Sequence, residues 1–209
     1  MIQVEDLELI GSGGYKKVFQ HPTDENKLIK VMRPERVGPD GGFKKHGRFK
    51  RNSMQGVYRQ FRRELIQYLQ LCKSDYAKKT YQFPIETPYE LIATSVGLGL
   101  VVEKIISPSG KTQSLGYLAK NKLLETKHFD ALKKFFQDCR DLHVVYGEVN
   151  ADGIMYTEHR SGRPEFVLVD GIGEKLAIPV RSWFKVNNDR YISKIEKKIY
   201  TQLEQKNGE

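Results

Sequence analysis

The stretch LELIGSGGYKKVF, residues 7–19, constrains the fold more than any other. An apolar run gives up side chains for Gly11, Gly13 and Gly14, then resumes at Val18 and Phe19. Such a break between apolar runs predicts two strands joined by a glycine turn. Two readings of the turn stand. Backbone amides freed of side chains wrap around phosphate oxygens, and glycine tolerates the dihedrals required. An ordinary β-hairpin uses glycine in its turn just as readily.

The rest of the chain extends the pattern. Residues 3–10 and 15–20 read as strands on either side of the turn, and NKLIKVMR, residues 26–33, as a third. PERVGPDGGFKKHGRFKRNSMQG, residues 34–56, is rich in Gly, Pro and basic residues and reads as a mobile insertion. Phe61, Leu65, Tyr68, Leu69 and Cys72 recur at helical spacing, which predicts a helix over VYRQFRRELIQYLQLCKS. Two short strands follow, roughly 89–95 and 98–105, and then the turn-forming connector SPSGKTQS. That connector divides the chain into expected lobes of residues 1–106 and 107–209. A helix over 128–143 carries Phe129, Leu132, Phe135, Phe136, Cys139 and Leu142 on one face. Strands at 153–158 and 165–169 are joined by RSGR, and Asp170 ends the second. From residue 189 a charged helix spaces Tyr191, Ile195, Ile199 and Leu203 for one buried stripe.

Composition narrows the function classes. A net charge of +9 points to an anionic partner: nucleotide, nucleic acid, phosphorylated substrate or membrane surface. Cys72 and Cys139 are the only cysteines and lie far apart, which argues against a disulfide framework or zinc site and fits a reducing compartment. The start, MIQVED, has no signal-like apolar core, and LIATSVGLGLVVEKII is broken by glycines and Glu103 and too short to span a bilayer. No transmembrane segment and a cytoplasmic location are expected.

Strand, glycine loop, strand, lysine-bearing strand, glutamate-bearing helix, two strands, connector, helix, acidic loop and a hairpin ending in aspartate: in this order the chain resembles the protein-kinase-like fold. Two segments, FRREL at 61–65 and DGIGEKLAIPVRSW at 170–183, more closely resemble the bacterial PhoP regulatory network protein YrbL family. The resemblance implies an α+β, protein-kinase-like bilobal fold with an antiparallel-sheet N-lobe and a shortened, mainly helical C-lobe. It further implies ATP and Mg²⁺ in the cleft between the lobes. Gly11, Gly13 and Gly14 would cover the phosphates. Lys16 replaces the third glycine of the kinase GxGxxG pattern and could still touch a phosphate. Lys30, in LIKV, would hold the phosphates and pair with Glu64. Taken without the resemblance, Lys30 reads as an outward-facing lysine on an edge strand and Glu64 as solvent-facing.

Asp170 follows a buried strand, where a carboxylate suits Mg²⁺ bridging nucleotide phosphates. It reads equally as an aspartate opening a turn. Kinases have DFG here; DGIG is close to the DNIG form associated with the YrbL-like family. The catalytic loop departs from the kinase pattern HRDxKPxN. Aligned on the following IM, the chain has YGEVNADG, with Glu148 for the aspartate, Asn150 for the lysine and Gly153 for the metal-binding asparagine. Glu148 is longer by one methylene, which matters where positioning governs rate, although it can still accept a proton. Gly153 offers no side-chain ligand, which leaves Asp152 or Asn150 as substitutes. Only 39 residues follow Asp170, so the peptide-docking platform of ordinary kinases is expected to be absent and the acceptor to be a small molecule or an unusual protein site.

Three functions follow. The first is an atypical ATP-dependent phosphotransferase of unknown acceptor, with Glu148 as base. The second is a pseudokinase that serves a regulatory protein partner without turnover. The third is a nucleic-acid-binding protein acting through the basic 44–63 region, where Lys44, Lys45, His46, Arg48, Lys50, Arg51, Arg59 and Arg62 interleave with Phe49 and Tyr58, just after Phe43. That region also reads as a solvated loop, or as one that folds over the nucleotide.

Overall fold

A computed structural model describes residues 1–44, 54–147, 149–176 and 178–207. The chain is α+β and divides into two compact units, Met1–Leu65 with Thr87–Lys104, and Ile66–Glu86 with Ile105–Glu209.

The first unit is built on a five-stranded antiparallel sheet, ordered β1-β2-β3-β5-β4. Its strands are β1 (Leu9–Ser12), β2 (Lys16–Gln20), β3 (Lys27–Met32), β4 (Pro88–Thr94) and β5 (Gly97–Glu103). The register pairs Val18 with Lys30 and Lys30 with Leu100, so β3 is the central strand. Alternation then separates two faces. Phe19, Ile29, Val31 and Val101 form one core with Val4. Leu28, Met32, Leu100 and Val102 form the other, packed with Phe61 at the start of helix α1 (Arg59–Ser74). Each such fully buried side chain contributes roughly 1.5–3 kcal/mol.

Strand β1 starts later than its apolar pattern predicts. Val4–Asp6 form a 3₁₀ turn with Val4 buried, because Glu5 and Asp6 suit a turn better than a ladder. The described ends of the insertion, residues 34–44 and 54–56, are also more ordered than their composition predicts. Val37 bridges to Phe43, and Phe43 and Val57 are buried in the second core. The Val57 amide donates to the Gly41 carbonyl at 2.9 Å. Gly56, at φ +49°, lies so close beneath that a Cβ would stand 2.2 Å from the same oxygen.

The second unit is mainly helical. Helices α2 (Leu115–Lys120), α3 (Thr126–Asp141) and α5 (Lys185–Asn207) pack with the hairpin β6 (Ile154–Thr157) and β7 (Glu165–Leu168). The short helix α4 (Val180–Trp183) precedes α5. Sequence periodicity does not reveal α2, which is too short for an apolar stripe; Ser114 caps it by accepting from the Tyr117 amide at 3.0 Å. Helix α5 begins before the predicted residue 189 and buries Ile192, Ile195, Ile199 and Leu203. Tyr191, expected in that stripe, is only partly buried and lies over Arg181.

Among the described residues, no helix is long and apolar enough to cross a membrane.

Candidate functional site

In the first unit, three charged side chains meet on the sheet face covered by α1. Cross-strand register puts Lys16 opposite Met32 and Lys30 opposite Val18, so both lysines share the face of Leu28 and Met32. On α1, Phe61, Glu64 and Leu65 recur at helical spacing and turn to that face. The result is a carboxylate held between two ammonium groups. Lys16 Nζ donates to Glu64 Oε1 at 2.6 Å, and Lys30 Nζ lies 3.7 Å from Oε2. Lys16, Lys30 and Glu64 are only 8%, 4% and 5% exposed, which excludes the outward-facing reading of the lysine and glutamate. Glu64 Oε2 is buried and accepts no hydrogen bond among the described residues. Such a cluster gains little stability over an apolar one, because desolvation offsets most of the attraction. The sequence pattern puts Lys16 in a phosphate loop and gives no sign of its closer contact with Glu64.

The glycine turn adjoins this cluster. The Gly13 amide donates to the Lys16 carbonyl at 2.9 Å, and the Gly13 carbonyl accepts from Arg33 Nη1 at 2.9 Å. None of Gly11, Gly13 and Gly14 has a positive φ. A Cβ at Gly11 or Gly14 would meet no atom within 4 Å. Neither backbone conformation nor internal packing therefore demands glycine there, which weakens the plain-hairpin explanation.

In the second unit, Asn150 and Asp170 flank one glycine. A Cβ on Gly153 would lie 3.5 Å from Asn150 Oδ1 and 3.6 Å from Asp170 Cβ. Asn150 Oδ1 accepts from the Gly153 amide at 2.9 Å and keeps a second lone pair. An amide oxygen and a carboxylate are donor types that Mg²⁺ takes, with water retained on its other positions. Asp152 turns elsewhere: its Oδ1 accepts from Ser114 Oγ at 3.3 Å and packs against Gly116. Glu148 lies outside the described residues. Among the described residues, no group of three or more His, Cys, Asp or Glu side chains is arranged to hold a metal.

The segment leading to Glu148 is framed by charges that no sequence pattern exposed. Arg181 is 7% exposed, donates through Nη1 to the Tyr146 carbonyl at 2.8 Å and pairs through Nη2 with Glu174. Glu174 also accepts from the Leu176 amide at 3.0 Å. Burial alone would raise the Glu174 pKa, but Arg181 and the backbone donors outweigh it and hold the carboxyl below its ordinary value. The Arg181 guanidinium lies 4.3 Å from the Tyr191 ring centroid, and the Tyr191 hydroxyl donates to the Gly147 carbonyl at 2.8 Å. His143 Nε2 donates to the Arg181 carbonyl at 2.7 Å. Gly171, at φ +77°, makes the bend after Asp170 that lets its carbonyl accept from the Gly147 amide at 2.7 Å.

Of the basic 44–63 region, Lys45, His46, Arg48, Phe49, Lys50 and Arg51 lie outside the described residues. Lys44 and Arg62 are exposed. Phe43 is buried against Tyr15, ring centroids 5.7 Å apart, and the Tyr58 hydroxyl accepts from the Leu98 amide at 3.0 Å. Both aromatics therefore have work inside the unit.

No individual curated protein matches the sequence. The family model described as PhoP regulatory network protein YrbL matches residues 2–204. That span takes in the Lys16–Lys30–Glu64 cluster, Asn150 with Asp170, and the Glu174–Arg181 frame, and the chain accordingly belongs to the PhoP regulatory network protein YrbL family.

Proposed function

We propose that the protein is an atypical kinase-like ATP-binding protein whose phosphate-holding residues are Lys16, Lys30 and the glycine turn. The observation that carries this is the convergence of two buried lysines from adjacent strands on Glu64, next to a turn whose glycines serve neither φ nor packing. Lys30 holds phosphate oxygens, Glu64 aims that ammonium through their ion pair, and Lys16 adds a second cation from the start of β2. Bare backbone at Gly11, Gly13 and Gly14 lets phosphate approach the amides. Asn150 and Asp170, in the second unit, are the residues that would hold Mg²⁺, and the ion would supply positive charge there. If phosphoryl transfer follows, Glu148 is the base that orients the acceptor.

The test is thermal melting of the wild type and of Lys30→Ala with and without Mg-ATP. A wild-type shift that grows with nucleotide and vanishes in Lys30→Ala is expected; occupancy at 100 times Kd corresponds to about 2.7 kcal/mol. No wild-type shift at millimolar nucleotide rules the proposal out. Transfer of label from γ-labelled ATP that is lost in Asp170→Ala separates an enzyme from a regulatory module that binds without turnover.

A further inference from the structure

Helix α4 and its flanks are inside out. Their buried side chain is the charged Arg181, held by Glu174 and the Tyr146 carbonyl. With that residue turned inward, the apolar ones face solvent. Leu176, Ile178, Trp183, Phe184 and Val186 are each more than half exposed, Trp183 at 64%. Large side chains scattered singly on a surface need no explanation, but five within eleven residues mark an interaction surface.

The neighbouring charges indicate what covers it. Val186 begins a shallow depression along α5, lined further by Asp189, Arg190, Ser193, Lys194 and Lys197. Asp189 is neutralised by Lys185 at 3.0 Å, and Glu196 by Arg140 at 2.6 Å. Arg190, Lys194 and Lys197 make no ion pair among the described residues, so the depression presents surplus positive charge. It follows the helix for three turns, about 16 Å. All of these residues lie on one helix, so a cationic stripe runs on from the apolar patch, a pairing that suits an acidic, amphipathic length of polypeptide.

We propose that Trp183, Phe184 and Val186, together with the Arg190–Lys194–Lys197 stripe, dock an acidic amphipathic segment of a partner protein. The segment's apolar edge covers the aromatic residues while its carboxylates meet the stripe. The surface lies wholly within the second unit and owes nothing to nucleotide binding.

Trp183 is the only tryptophan in the chain, so its emission reads coverage of this surface directly. The probe is a synthetic helix of about four turns with leucines along one stripe and glutamates along the next. With the full chain, a saturable blue shift of Trp183 emission is expected. The combined change Arg190→Glu, Lys194→Glu and Lys197→Glu should weaken binding at least about tenfold, and a lysine-bearing version of the peptide should restore it to that variant. The proposal is overturned by no shift, or by an equal shift with a scrambled peptide. It is equally overturned if only phosphatidylglycerol vesicles move the emission, which would indicate a membrane surface. A shift with rising protein concentration alone would indicate self-association and overturn it too.

Discussion

The two units bury charge in different ways. In the first, Lys16, Lys30 and Glu64 come from two strands and a helix and meet through the ends of long side chains. In the second, Glu174 and Arg181 are seven residues apart and fasten to main-chain atoms of Tyr146 and Leu176 as well as to each other. Charges tied to backbone fix a loop. Charges that meet through flexible stems can turn toward something else. The contrast separates a charge pair fixed to backbone from one held only through side-chain ends.

Changes that strike the frame should produce the largest effects. Arg181→Ala leaves Glu174 buried without its cation and the Tyr146 carbonyl without a donor, and should cost about 3–5 kcal/mol in urea unfolding. A loss under about 1 kcal/mol would mean that the second unit's charges are as movable as the first's. The same pair sets the acid limb. Because the Glu174 carboxyl is held below its ordinary value of 4.5, the stability it adds is present above that value. That stability is lost as pH falls through the lower folded value. Urea midpoints measured through this range should fall less steeply in Glu174→Gln than in the wild type, and parallel curves would remove Glu174 from the account.

Lys30→Met should do the opposite of Arg181→Ala. It replaces a buried ammonium with an apolar chain of similar length while Lys16 still serves Glu64 at 2.6 Å. Thermal stability should hold within about 1 kcal/mol or rise, even as any nucleotide-induced shift disappears. A drop of several kcal/mol would make the cluster a structural frame like the other. Gly14→Ala should be the mildest change. Its Cβ enters open space at an ordinary φ, so stability should move by no more than about 0.5 kcal/mol by melting, whereas nucleotide affinity should weaken.

Much of this was legible in the sequence wherever a period ran long enough. The apolar runs around β3 and β5, the stripe on α1 and the hairpin β6–β7 appear near their predicted places, and Lys30 with Glu64 could be paired on paper. Lys16 could not. Its side chain faces α1 because β2 pairs Lys16 with Met32, and a one-residue slip would have sent it to the other face. The irregular register between Leu9 and Gly11, next door, shows how little the local sequence fixes that choice. Arg181 was hidden for another reason. Its partners are a backbone carbonyl and a glutamate in irregular chain, where no periodicity operates, and the apolar residues around it point outward against the usual rule.

The bond between Val57 and Gly41, with Gly56 pressed against the same carbonyl, brings the two flanks of residues 45–53 together at one spot. The described chain on either side of that segment is thus fastened at one point. Closure entropy rises only with the logarithm of the enclosed length, each doubling adding about 0.6 kcal/mol. Residues inserted or removed between Gly41 and Val57 should therefore cost the sheet, its lysines and the glutamate little.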